Sequence, residues 1–301
     1  MRFSLGQGLV LQWLAHTGRS GFPSPSPGFA MKNVFKKLLF SAIAAALIVP
    51  VAQAAGLKIG VVPGAYGDTV AAAAKEADAQ GLKVEVIEFT DWTTPNVALN
   101  AGDIDINYFQ HEPFLDNAIQ KQGFKLKSVG VGLLGNIGLY SLRHKTVADV
   151  PQGGKVGIPS DPVNQGRGLL LLQKAGLITL KPDVGYLGGL ADITDNPKKL
   201  QFVETEGPQL VRITGDVDLA IGYPHFIVAA KAFDPSSGLT YSGIEDDRFA
   251  IRFVVREDRA DDADIQRFIQ IYQNSPAVRE VAHKGFSDDE RLYALAWTRQ
   301  P

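Results

Sequence analysis

The chain contains no cysteine, which excludes disulfides, a thiolate nucleophile, a Cys-ligated zinc and a Cys-linked lipid. Its five histidines, His16, His111, His144, His225 and His283, show no HExxH or similar ligand spacing, so no metal is expected. No Gly-x-Ser-x-Gly elbow occurs, the signature an exported esterase would carry. Gly60, Gly64 and Gly67 match a phosphate loop only loosely, and no Lys-Ser/Thr pair follows them, so no cofactor is expected either. A basic, aromatic-laced stripe is also missing, which argues against nucleic acid as a partner.

What is present is the composition of a globular protein, 45% apolar and 21% charged over 301 residues, enough for one large domain or two ordinary ones. The first residues do not belong to that fold. From Met31 the chain reads MKNVFKKLLFSAIAAALIVPVAQAAG. Lys32, Lys36 and Lys37 form a basic start, Leu38 to Val51 an apolar core of about 14 residues, and Ala52-Gln53-Ala54 a small-x-small cleavage site. The apolar run is shorter than the roughly 20 residues of a spanning helix, so residues 31–54 are expected to be a cleaved signal peptide. Residues 1–30 precede this complete signal and read as a mis-called extension, the alternative being a long basic leader. Residues 1–54 hold five of the 30 Lys+Arg and none of the 32 Asp+Glu. Their removal leaves 25 against 32, a net charge near −7. No second long apolar segment follows. Without a lipid-carrying cysteine, the mature protein is expected free in the periplasm.

Beyond residue 56 strands and helices alternate, the rhythm of a parallel α/β sheet covered by helices. Two phrases recur in the same order. Lys58-Ile59-Gly60-Val61-Val62-Pro63 returns as Lys155-Val156-Gly157-Ile158-Pro159. Gly102-Asp103-Ile104-Asp105-Ile106 returns as Gly215-Asp216-Val217-Asp218-Leu219-Ala220-Ile221. Both members of the second pair run into polar-aromatic turns, Asn107-Tyr108-Phe109-Gln110-His111 and Gly222-Tyr223-Pro224-His225-Phe226. The repetition predicts two lobes of similar topology, and α/β sheets bind ligands beyond the carboxyl ends of their strands. The chain leaves the first lobe through 136–143 and returns through the strand 249–256. The expected boundaries are 57–143 plus 247–301 for lobe one and 144–246 for lobe two, with two crossings as a hinge. Asp288 to Trp297 reads as helical.

The turn after the second-lobe strand, Ser160-Asp161-Pro162-Val163-Asn164-Gln165-Gly166-Arg167, has an N-cap in Asp161 and a first-turn proline in Pro162. A helix start offers free amides to an anion, and Arg167 adds a planar fork that matches a carboxylate. The bland reading of Arg167 is a surface salt bridge. His111 and Glu112 are neighbours in sequence, so their side chains point apart and make a poor acid–base pair. An isolated His at a strand end is more often structural than a ligand contact. No enzyme is expected from these residues.

These motifs are specific. Phe109-Gln110-His111-Glu112-Pro113-Phe114-Leu115-Asp116 follows Gly102-Asp103-Ile104-Asp105. Ser160-Asp161-Pro162 occurs with Asn164, Gly166, Arg167 and the run from Leu169 to Ile178. Asn196-Pro197 occurs with Glu206, Pro208, Gln209, Leu210 and Arg212. With them, about residues 57–283 resemble the NlpA/MetQ family, the methionine-binding proteins of ABC importers. The resemblance implies an α/β fold, that of a two-lobed periplasmic binding protein (type II), each lobe a mixed sheet flanked by helices and joined by a two-strand hinge. It implies that Arg167 pairs with the ligand carboxylate. Phe109 and His111 would line the side-chain pocket with Trp92, where the family usually has Tyr. Asn164 would touch the ligand or only shape its loop. Tyr223 stands where the family has an Asn that hydrogen-bonds the ligand's amino and carboxylate groups, and His225 would add a polar contact beside it. Losing a buried hydrogen-bond partner costs about 1–3 kcal/mol, up to roughly a hundredfold in affinity.

The expected function is therefore an exported, monomeric solute-binding protein. It captures a small amino acid, methionine first, and delivers it to an ABC permease. The alternatives are the same scaffold with another small carboxylate or sulfonate, and an exported enzyme acting on such a ligand.

Overall fold

The computed structural model describes residues 56–299; the expected extension and signal peptide lie outside the described residues. The first strands form where apolar residues run together: β1 (Leu57–Val61) is buried at four of its five positions. A turn at Gly64, whose φ of 89° favours glycine, leads into α1 (Ala65–Ala79). Its small face, Ala73, Ala74 and Ala77, is buried, as close helix packing requires. Then follow β2 (Val84–Glu88), α2 (Thr94–Ala101), β3 (Ile106–Tyr108), α3 (Glu112–Gln122) and β4 (Leu126–Gly135). Of these, β3 is only three residues long.

The chain then crosses at Asn136-Ile137 into a second sheet. It contains β5 (Gly138–Tyr140), β6 (Lys155–Pro159), β9 (Gln201–Thr205), β10 (Leu219–Gly222) and β11 (Thr240–Tyr241). Between these run α4 (Pro162–Lys174), the small hairpin of β7 (Thr179–Leu180) and β8 (Ile193–Asp195), α5 (Leu210–Ile213) and α6 (Pro224–Ala230). After 242–249 the chain re-enters the first sheet as β12 (Ala250–Arg256). It closes with α7 (Ala263–Asn274), α8 (Pro276–Gly285) and β13 (Tyr293–Leu295).

The echo in the sequence corresponds to an echo in pairing. In the first sheet β1 lies parallel between β3 and β2; in the second, β6 lies parallel between β10 and β9. Each trio is extended by one antiparallel strand that follows directly on a crossing, β12 beside β3 and β5 beside β10. Because β5 pairs in the second sheet, the first crossing precedes Gly138 rather than following Arg143. The two crossings are tied together by one side chain. Asn136 Oδ1 accepts from Ser242 Oγ at 2.9 Å and from the Gly243 amide at 3.0 Å.

The C-terminal segment departs from the helical expectation. Tyr293–Leu295 pairs antiparallel with β4, and Trp297 Nε1 donates to the Gln273 carbonyl at 2.9 Å. The exposed edge of β4 offers a row of backbone groups that need partners, and this pairing outweighs the local helical preference of Asp288 to Trp297.

Candidate ligand-binding site

Strand ends from both sheets converge on one cavity. All seven residues singled out from the sequence line it: Trp92, Phe109, His111, Asn164, Arg167, Tyr223 and His225. So do Tyr66, Gln110, Phe114, Asn136 and Phe249, which sequence reasoning passed over. Tyr66 follows the turn after β1, so the strand-end rule could have found it. Phe249 lies in the second crossing and carries no such signal.

On the side of the first sheet the turn after β3 is fixed by three buried amides. Gln110 Nε2 donates to Asn96 Oδ1 at 2.6 Å and to Asn107 Oδ1 at 2.9 Å. Asn96 Nδ2 returns a bond to Gln110 Oε1 at 2.9 Å, and Asn107 Nδ2 donates to Asn96 Oδ1 at 2.9 Å. Asn96 belongs to α2, so this network locks the loop carrying Trp92 to the turn carrying Phe109 and His111. Asp91 shapes that loop further by accepting from the amides of Thr93 and Thr94, both at 2.7 Å.

His111 is the N-cap of α3. Its Nδ1 accepts from the Phe114 amide at 3.3 Å, so the proton sits on Nε2, which donates to Asn164 Oδ1 at 3.1 Å. Asn164 Nδ2 in turn donates to the Asp161 carboxylate at 3.2 Å. Asn164 therefore shapes its turn and also bridges the two sheets. Burial, and after it the Arg167 charge, push the His111 pKa down to about 3, so the ring is neutral.

On the side of the second sheet, Asp161 caps α4 by accepting from the Asn164 amide at 2.9 Å. Gly166 lets the neighbouring turn close in, since a Cβ there would lie 2.2 Å from the Tyr186 carbonyl oxygen. Arg167, one position on, is 8% exposed. Its Nη2 donates to the Gly135 carbonyl at 3.2 Å, and the Phe249 ring centroid lies 4.4 Å from its Cζ. Among the described residues no carboxylate forms an ion pair with it; burial lowers its pKa from the ordinary guanidinium value, and the group stays charged. Tyr223, just after β10, and His225, in the first turn of α6, keep buried polar atoms without partners: the Tyr223 hydroxyl and His225 Nδ1. Burial, then Arg167, push His225 down to about 3, while burial raises the Tyr223 pKa well above 10.0.

The two sides meet through aromatic contacts. Trp92 lies edge-on to Tyr223 at 5.3 Å, and Tyr66 packs on His225 at 4.3 Å. The indole occupies a notch at Gly207, where a Cβ would stand 2.0 Å from its Cη2. The cavity thus offers one buried cation, neutral hydrogen-bonding groups around it and an aromatic enclosure.

Comparison with known proteins agrees with this fold. The sequence model of the family described as NlpA lipoprotein matches residues 57–294. The D-methionine-binding lipoprotein MetQ of Salmonella typhimurium is 41% identical over 233 residues, 77% of this chain and 86% of that protein. A periplasmic substrate-binding protein of an ABC transporter from Coxiella burnetii superposes with a TM-score of 0.72 at 37% identity, covering 77% of this chain and 97% of the other. A nutrient-binding protein from Burkholderia cenocepacia, solved bound to methionine, gives 0.72 at 36% identity over 77% and 97%. These findings overturn one expectation, that of a protein without a lipid anchor. The matching family and the Salmonella relative are both lipoproteins by name. The lack of cysteine in this chain excludes one attachment chemistry and does not set the chain apart from a tethered family.

Proposed function

Since the chain belongs to the NlpA lipoprotein family, we propose that it is the periplasmic substrate-binding protein of an ABC transporter. In this reading it captures a small amino acid in the cavity, methionine before others, and hands it as a monomer to a permease. The observation that carries this is Arg167: a charged guanidinium in an apolar, aromatic enclosure, with no carboxylate among the described residues paired to it. Desolvating a charge is costly unless a partner is supplied, and a ligand carboxylate meets the planar fork in two parallel bonds. Trp92, Phe109 and Phe114 suit a thioether, which packs favourably against ring edges.

Catalysis is disfavoured by the same geometry. Both His111 nitrogens are engaged, and His225, whose Nδ1 is free, has no Ser, Asp, Glu or Lys beside it on the cavity wall among the described residues to act with it as nucleophile or general acid. Titration calorimetry of the purified protein with L- and D-methionine tests the reading. One-to-one binding without product is expected. If none of the twenty amino acids gives heat or raises the melting temperature, the amino-acid reading fails.

A further inference from the structure

Arg167 borders more than the ligand cavity. It also lines a pocket against the second crossing, together with Phe249, Asp246, Glu245 and Lys174. Phe249 lines both spaces, and its ring centroid lies 4.4 Å from Arg167 Cζ. Asp246 and Phe249 flank one short turn, which Asp246 caps by accepting from the Arg248 amide at 3.1 Å. The clamp therefore stands between a cavity without carboxylates on its wall and a pocket that has two.

The charges near the clamp have separate partners. Asp161 is engaged with Asn164, accepting from its amide at 2.9 Å and its side chain at 3.2 Å. After burial, its charge is what raises the Tyr223 pKa. Lys174 donates to the carbonyls of Tyr241 and Ser242 at 2.7 and 3.3 Å. Burial dominates the Arg167 pKa, and Asp246 is the one carboxylate among the described residues that opposes it. Asp246 forms its ion pair elsewhere, with Arg248, which donates to it from Nε at 2.9 Å and from Nη2 at 2.6 Å. Arg248 in turn lies over the Tyr186 ring. The carboxylate is thus near enough to act on the clamp and is held by another cation.

We propose that Asp246 is the resident counter-charge of Arg167, that it competes with the ligand carboxylate for the clamp, and that Arg248 sets the affinity by restraining it. This rests on the reading of the cavity as an amino-acid receptor. With the cavity empty, the Asp246 charge stabilises the buried guanidinium; with a ligand in place, the same charge repels the incoming carboxylate. Both effects lower affinity, and both are moderate, because the Asp246 side chain is 41% exposed and screened by water. Asp246 is a positioning residue that acts through Arg167 and does not touch the ligand.

Two substitutions with opposite expected signs provide the test, read by calorimetry with L- and D-methionine. Asp246→Asn keeps an oxygen to cap the turn and removes the charge, and it should tighten binding about threefold. Arg248→Gln releases Asp246 toward the clamp and should weaken binding by a similar factor. The double variant should bind as tightly as Asp246→Asn alone, and Glu245→Gln, on the same pocket, should change little. A purely structural role for the Asp246–Arg248 pair would make both single variants weaker; that result, or no change in either, overturns the proposal and leaves the amino-acid reading intact. Wild-type protein that binds neither methionine nor any other amino acid overturns that reading, and urea unfolding of ligand-free protein then decides the proposal. Asp246→Asn should lower the unfolding midpoint more with Arg167 present than in an Arg167→Met background. Equal shifts in the two backgrounds overturn it.

Discussion

The two walls of the cavity differ in how their polar groups are satisfied. On the first-sheet side every amide of the Asn96, Asn107 and Gln110 network is paired, and His111 uses both ring nitrogens. On the second-sheet side Arg167 has a carbonyl and an aromatic face but no ion pair among the described residues, and Tyr223 and His225 keep polar atoms in reserve. One wall is finished as built and supplies shape. The other is electrostatically incomplete and supplies the groups that a ligand satisfies. A ligand that contacts both favours the state in which the walls are close, because only differential affinity shifts such a balance.

Arg167→Met should expose this difference most strongly. Methionine keeps much of the volume and removes the charge, so the second wall loses its only cation. Affinity for any carboxylate ligand is expected to fall at least about a hundredfold, roughly 3 kcal/mol. Ligand-free stability, read by urea unfolding, should hold or rise, because an unpaired buried charge is replaced by an apolar side chain. Unchanged affinity would remove Arg167 from the site. Weaker folding would mean that its bonds to Gly135 and Phe249 matter more to the structure than to the ligand.

Each wall carries one buried neutral histidine, which makes pH the next probe. In the folded protein His111 and His225 stay unprotonated down to about pH 3, whereas in the unfolded chain they take up a proton near the ordinary value of 6.5. Between those limits the unfolded state binds more protons, so stability falls as pH falls below 6.5 and is unaffected by these groups above it. Each contributes about 1.4 kcal/mol per pH unit, so together they cost roughly 2–3 kcal/mol at pH 5.5. Urea unfolding between pH 7.5 and 5.5 should show this slope, and His225→Gln should halve it. A slope unchanged by that substitution would place His225 in contact with water.

The first wall was easier to read from the sequence than the second was to complete. The repeated strand and turn phrases place β1 with β6 and β3 with β10, and strand ends are where α/β sheets gather their sites. Phe109, His111, Arg167 and Tyr223 follow from that rule together with the family's motifs. Tyr66 obeys the same rule but sits at the start of α1, in a stretch with no motif. Phe249 reaches Arg167 only because the second crossing passes beside α4, a tertiary fact with no local signature. The Asn96–Asn107–Gln110 network joins residues up to 14 positions apart through side-chain direction, which spacing does not encode. The terminal strand was misread because pairing with β4 overrides local propensity.

The smallest effect concerns the one place where the walls fit like parts of a core. Trp92 reaches from the first side into the notch at Gly207 on the second, against Tyr223 at 5.3 Å and Phe226 at 6.3 Å. Gly207→Ala puts a methyl 2.0 Å from the indole, so one wall must shift. Overpacking of this kind costs about 1–3 kcal/mol, and here it falls on the approach of the walls rather than on either sheet. Affinity should drop about tenfold with little change in ligand-free stability. Trp92→Tyr, whose shorter ring leaves the notch free, should recover much of the loss when combined with Gly207→Ala. Simple addition of the two effects in the double mutant would show that the indole and the notch act independently, and the contact would then belong to the general packing of the molecule and not to its closure on a ligand.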